Sequence, residues 1–483
     1  MTTMEAYGTQ NRSELLLDYK YRAANQTTLN RAFALMLAEQ GLLSIEDYKK
    51  IDEGLVAVQN TLAEADMDPG KGDVYFIYEA ALYEAIGMDT ACKLHIGRSR
   101  NDIYFTLYRM SVREALWLIM DDLLETQRLL ERKIEENLDT VIPYYTYGQP
   151  AQPGTWGHYL MTVHECFGND LKRMKAAYEN VNRSPMGAAA GIGTAFNLNK
   201  YRMAELLGFD SVIENTQFGN ASVDYFLETE AAFAIMNSTL GRVGGDLMFF
   251  ATSECKILNC DMSICGGSSI MPQKKNAEIA EIFRSQATLF PGYMMSSLMS
   301  AGGISLFPSR ETYHFFFKFW EHTEALLTGL RLLRLILERS EINKEIALSR
   351  ARDGFTAATA MAEELTMEVG EPFVKTHHVV GGMIHKLMDE GQLKVENMTG
   401  ALMREASIKA LGFEVIKSDE EIARMMDPLS SLEAKITGGT PKPADTAELL
   451  KAGRAIRIQN ESWLAAAKKH VERAYAQIEK GIG

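Results

Sequence analysis

The chain has 483 residues, 46% of them hydrophobic and 24% charged, with a formal net charge of -14. That is enough apolar residue for a large core spread over two or three domains, and it excludes a disordered chain. The negative balance argues against a general nucleic-acid or anionic-membrane binder, although a local Arg/Lys cluster can still receive an anionic substrate.

The first twenty residues, MTTMEAYGTQNRSELLLDYK, hold no apolar leader core, and charges or Gly interrupt every apolar stretch short of a membrane span. Cys92, Cys166, Cys255, Cys260 and Cys265 form no disulfide pattern for a chain of this length. The last three recur at five-residue spacing, whereas a zinc site calls for close Cys pairs with His. Buried free thiols in a reducing cytosol fit better, so a cytoplasmic protein is expected.

Helical periodicity dominates. From about 105 to 138, Leu116, Ile119, Leu123, Leu130 and Ile134 keep one apolar face, while Glu125, Arg128, Glu131, Arg132 and Glu135 fill polar ones. Further helical runs are predicted over about 153–181, 221–254, 276–299 and 311–342. Several are near 30 residues, about 45 Å at 1.5 Å per residue, a length that indicates a bundle. Strand signals are weak. The expected fold is all-α, divided into an N-terminal helical domain (1–105), a central bundle (106–355) and a C-terminal helical domain (356–483).

Four segments carry possible chemistry. His95–Asp102 (His-Ile-Gly-Arg-Ser-Arg-Asn-Asp) sets two arginines, a serine and an amide together, either as a carboxylate clamp or as a surface turn paired with acidic neighbours. Thr146-Tyr147-Gly148-Gln149, followed by Trp156 and His158, brings polar groups to the start of a helix, where His158 reads equally as a satisfied core histidine. Ser184–Thr194 is rich in Gly and Ala, which permits close backbone approach to a ligand or tight helix packing, and is not a dinucleotide fingerprint. Gly266–Asn276 (Gly-Gly-Ser-Ser-Ile-Met-Pro-Gln-Lys-Lys-Asn) is a mobile run leading into a helix. It is a solvated basic loop, or else free N–H donors and Lys274 that favour a developing anion and activate a serine.

Taken together, the segments resemble the fumarase/aspartase superfamily, and within it the argininosuccinate lyases. Gly267–Asn276 is similar to the superfamily's Gly-Ser-Ser-x-Met-Pro-x-Lys-x-Asn signature, and His95–Asp102 and Thr146–His158 resemble two further lyase regions. Met203–Asp210, Asn215–Glu228, Glu371–Gly381 and Asp427–Pro441 extend the likeness along nearly the whole chain. The resemblance implies a cytoplasmic homotetramer acting on a small dicarboxylate, with each active site assembled from three subunits and with no metal or organic cofactor. By the same resemblance Ser268 abstracts a proton beside a carboxylate. Lys274 and Asn276 stabilise the resulting dianion. Ser99, Arg100, Asn101, Thr146 and Gln149 hold the dicarboxylate, with Ser222 lining the site. The implied activity is elimination of an amine from an N-substituted aspartate to give fumarate.

There are departures from that pattern. Tyr147 stands where the branch carries His as a candidate acid, and Tyr75 and Tyr78 replace smaller or more polar groups. Asn30 and Phe33 stand where Ser and His are expected, and Leu306–Phe317 has no clean counterpart of the segment that addresses the amino-acid end. The fumarate half of the site is retained and the amine half rewritten with aromatics, Tyr147 among the candidate catalytic groups. Argininosuccinate, an aminopolycarboxylate such as ethylenediamine disuccinate, and a C–S or nitrosuccinate substrate all stay open. So does a catalytically silent, crystallin-like structural protein.

Overall fold

The computed structural model describes residues 12–308 and 311–482, and all their side chains except those of 311–317. Helices Arg12–Glu39 (α1), Ile45–Thr61 (α2) and Val74–Ile86 (α3) precede the 36-residue helix Arg100–Glu135 (α4). Strands Val141–Thr146 (β1) and Gln149–Thr155 (β2) form a hairpin that leads into Trp156–Val181 (α5). After the short helix Thr216–Ala221 (α6) come Asp224–Phe250 (α7), strand Leu258–Cys260 (β3), and helices Glu278–Ala287 (α8), Phe290–Gly302 (α9) and Glu311–Glu338 (α10). Strand Ser340–Ile342 (β4) pairs antiparallel with β3. Lys344–Asp353 (α11), Ala358–Val369 (α12), Phe373–Asp389 (α13), Gly400–Leu411 (α14) and the 38-residue Pro443–Lys480 (α15) follow, with shorter helical turns between. The fold is all-α with minor strand content.

Helix α4 shows how sequence sets the bundle. Ser99 caps it, its hydroxyl oxygen accepting from the helix's first turn, and the Asp102 carboxylate accepts from the Ser99 N–H, which satisfies donors the helix start leaves open. Leu116, Ile119, Leu123, Leu130 and Ile134 are all fully buried, each stabilising the fold by about 1.5–3 kcal/mol. This face packs against α5, α10, α1 and α15. Glu131, expected on a polar face, is buried, because α15 brings Arg454 and Arg457 onto it.

Two local expectations change. The run expected over 276–299 is two helices, α8 and α9, because Pro291 in the first turn of α9 lacks an N–H and would clash inside a continuous helix. Residues 141–155 form a hairpin despite three prolines. Pro143 sits opposite Pro153, and a register shift at Tyr144/Tyr145 absorbs the irregularity. Helix α15 joins the main core through Leu450, Leu464 and Ile478, while a second core lies within residues 355–426.

Candidate active site

The signature loop is pinched at its neck. The Gly266 N–H donates to the Asn276 carbonyl at 3.1 Å, and the Asn276 N–H donates back at 2.9 Å. A Cβ on Gly266 would fall 2.2 Å from a Glu278 carboxylate oxygen, so a larger residue there would have to push the Glu278 side chain aside. Within the loop, the Ser268 hydroxyl oxygen accepts from the N–H groups of Met271 (3.1 Å) and Ile270 (3.3 Å). Two donors on that oxygen favour its ionised form. Lys274 is exposed, and Lys275 donates to Asn259 at 3.2 Å. Helix α8 follows directly, with Glu278 and Glu281 in its first turn. A cleft of about 870 Å³ opens beside the loop, lined by Met271, Gln273, Lys274, Asn276, Glu281 and Cys265 among others. Sequence reasoning did not single out Glu281. Its signal is its position, five residues after Asn276 on the same helix entry.

The clamp segment sits at the start of α4. The Ser99 hydroxyl oxygen accepts from the Asn101 N–H at 3.3 Å, and Arg100 is exposed, its guanidinium 4.7 Å from the Phe76 ring centre. The two arginines of this segment part company. Arg98 turns inward, donates to Asn30 at 2.7 Å and lies over Phe33, so only Arg100 is placed to meet a ligand. His95 pairs with Glu79 at 2.5 Å, and burial holds its pKa below the usual imidazole value.

Thr146, Tyr147 and Gln149 occupy the hairpin tip. Tyr147 (φ 51°) and Gly148 (φ 74°) both take left-handed backbone, the pattern of a tight two-residue turn. Tyr147 is wholly exposed, at 104% of its reference surface, and Thr146 and Gln149 are exposed beside it. A non-glycine in this conformation costs about 1 kcal/mol. Ser222 is buried behind α6, its hydroxyl donating to Asp224. His158 is a structural residue of α5. Its N–H donates to Thr155, its ring lies 3.4 Å from the Thr446 hydroxyl, and burial lowers its pKa.

The aromatic substitutions expected to reshape an amine pocket divide likewise. Tyr78 is a core residue whose hydroxyl is shared with Thr27 (2.5 Å) and donates to the Leu55 carbonyl (3.2 Å). Tyr75 is buried and donates to Glu79 at 3.2 Å. The void between these side chains, Asn30, His95 and Arg98 is about 10 Å³, room for one water and not for an amine leaving group. Phe33 is fully buried, and the side chains of 311–317, within the divergent Leu306–Phe317 stretch, lie outside those described.

Among the described residues no group of three or more His, Cys, Asp and Glu side chains is placed to hold a metal ion, and no helix is long and apolar enough to cross a membrane. A family described as lyase matches residues 2–292. Argininosuccinate lyase of Methanocaldococcus jannaschii is 30% identical over 88% of this chain and 86% of its own. That of Methanococcoides burtonii is 31% identical over 93% and 91%. Among solved structures, an EDDS lyase variant with bound fumarate superposes with a TM-score of 0.87 at 29% identity, covering 97% of this chain and 94% of that one. The chain therefore belongs to this lyase family, in the argininosuccinate lyase branch of the fumarase/aspartase superfamily, and is a carbon–nitrogen lyase of the fumarate-forming type.

Proposed function

We propose that the protein removes an amine from an N-substituted aspartate at active sites that three subunits of a cytoplasmic homotetramer build together. Ser99, Arg100 and Asn101 at the α4 terminus, with Thr146 and Gln149 of a hairpin tip, hold the two carboxylates of the succinyl half. Arg100 contributes a bidentate fork and the helix terminus its positive end. Ser222, at the end of α6, lines the site. Ser268, as the alkoxide, takes a proton from the carbon beside one carboxylate. The negative charge moves onto that carboxylate, where Lys274 and Asn276 stabilise it as a dianion. The electron pair then returns to form the carbon–carbon double bond, the carbon–nitrogen bond breaks, and the amine leaves with a proton from Tyr147. Fumarate and amine account for all the atoms, and the reverse sequence adds an amine to fumarate.

One observation carries this reading. The loop, the clamp and the hairpin tip stand on separate elements, and the tip presents Tyr147 wholly to solvent despite its strained backbone. Such a residue is positioned for a neighbouring subunit's site. On the leaving-group side only Tyr147 of the three tyrosines stays available, and an aromatic hydroxyl suits a short, weakly hydrated amine better than a guanidinium chain. Following fumarate absorbance with argininosuccinate and with ethylenediamine disuccinate tests this. Faster turnover of the second is expected. Efficient argininosuccinate cleavage would refute the specificity, and fumarate from neither, nor from other N-substituted aspartates, would refute the reaction.

A further inference from the structure

Asp102 has no part in the proposed chemistry, yet its fully buried carboxylate joins two segments 85 residues apart. One oxygen accepts from the Ser99 N–H at 2.9 Å, and the other accepts from the N–H groups of Ala189 at 2.9 Å and Gly187 at 3.3 Å. The Ala189 carbonyl is held in turn by the Asn220 amide at 2.7 Å. Between these two grips Ala189 keeps a left-handed backbone, φ 50°, which a non-glycine rarely adopts. The same loop closes on the other side of the clamp, where a Cβ on Gly97 would lie 3.0 Å from the Thr194 hydroxyl and 3.1 Å from Leu198. A buried charge with three backbone donors is costly to maintain for helix capping alone, since the Ser99 hydroxyl already caps the helix.

We propose that Asp102 is a positioning residue, which fixes the Ser99–Asn101 clamp against the Gly187–Gly193 loop and so sets the clamp's geometry for the succinyl carboxylates. The inference rests on the clamp reading above. Asn101→Ala, which removes a clamp group directly, separates the two.

The test is calorimetric binding of fumarate, the half common to the candidate substrates, to the assembled protein. Asp102→Asn should weaken fumarate about tenfold to a hundredfold, the usual scale for loosening a supporting residue. Ala189→Gly alone should leave affinity unchanged. In the Asp102→Asn background it should restore part of the affinity, because glycine holds the left-handed conformation without the carboxylate. Should Asp102→Asn fail to fold, Asn220→Ala releases the second grip and should weaken fumarate in the same direction, again with rescue by Ala189→Gly. Retained affinity in the folded Asp102→Asn protein, or loss that Ala189→Gly does not relieve, overturns the positioning role. Retained affinity in Asn101→Ala overturns the clamp reading instead.

Discussion

Replacing Glu131 by Gln should loosen the last helix from the bundle by an amount the structure sets. The Glu131 carboxylate, 3% exposed, accepts from Arg457 at 2.6 and 3.1 Å and from Arg454 at 3.0 Å, with His164 at 3.3 Å. Burial by itself pushes its pKa up, but the hydrogen bonds from His164, Arg457 and Arg454 outweigh it and hold the group at about 2, against an ordinary 4.5. At 1.36 kcal/mol per tenfold change in proton affinity, that fall is worth about 3 kcal/mol. Because the folded-state value is depressed, the contribution is complete above pH 4.5 and is lost as pH falls towards 2. Each arginine keeps a second carboxylate, Glu135 for Arg454 and Glu461 for Arg457, so the variant does not add the cost of bare buried cations. Hydrogen exchange on residues 443–480 measures the effect. Glu131→Gln should lower protection there by about 3 kcal/mol at pH 7. A loss under 1 kcal/mol, or one equally large at pH 3 and pH 7, would refute this reasoning.

Ser268→Ala should lower kcat by several orders of magnitude with the helical circular-dichroism spectrum intact, and near wild-type turnover would remove Ser268 as the base. Tyr147→Gly should match or exceed wild-type stability by about 1 kcal/mol in denaturant, since the turn at φ 51° suits glycine, while lowering activity. Tyr147→Phe should lower activity as well, and full activity in both would exclude a proton-donating role. Burial raises the Asp170 carboxyl to about 7, against the opposing pull of Arg173, so the charged form costs stability above that pH and the cost fades as pH falls towards the unfolded value of 3.8. Asp170→Asn should therefore be more stable than wild type at pH 8, with the difference closing by pH 4 in parallel denaturant titrations.

The long helices were legible because Leu116 through Ile134 and their equivalents repeat at 3.6 residues, a signal that survives without tertiary information. The hairpin was not, since Pro143, Pro150 and Pro153 argue against strands, and only the pairing of Pro143 with Pro153 and the register shift beside Pro150's partner Tyr145 show how a ladder tolerates them. Helix α15 stayed hidden for a different reason. Most of its 38 residues are polar or exposed, and part of what docks it is ionic, through Arg454 and Arg457. For the candidate site, residue types and order single out the loop, the Ser99–Asn101 segment and the hairpin tip as the groups to propose. Spacing does not say which way a side chain turns, so Arg98, Tyr75 and Tyr78 look like ligand-facing groups in the sequence, whereas in the structure both tyrosines are buried and Arg98 turns inward onto Asn30. Asp102 stands three residues after Ser99 in the sequence, but its cap on the helix and its reach to residues 187 and 189 come from the structure.

The most direct test of the account mixes two inactive proteins. Ser268→Ala subunits retain a normal hairpin tip, and Thr146→Ala subunits retain a normal loop. If one site draws these residues from different chains, dissociation and random reassociation of equal amounts should leave about one site in four with both groups intact. Fumarate formation should then rise from the level of either variant to about a quarter of wild type. No recovery in tetramers shown by native mass spectrometry to contain both variants, or full wild-type activity from a monomer, would contradict it.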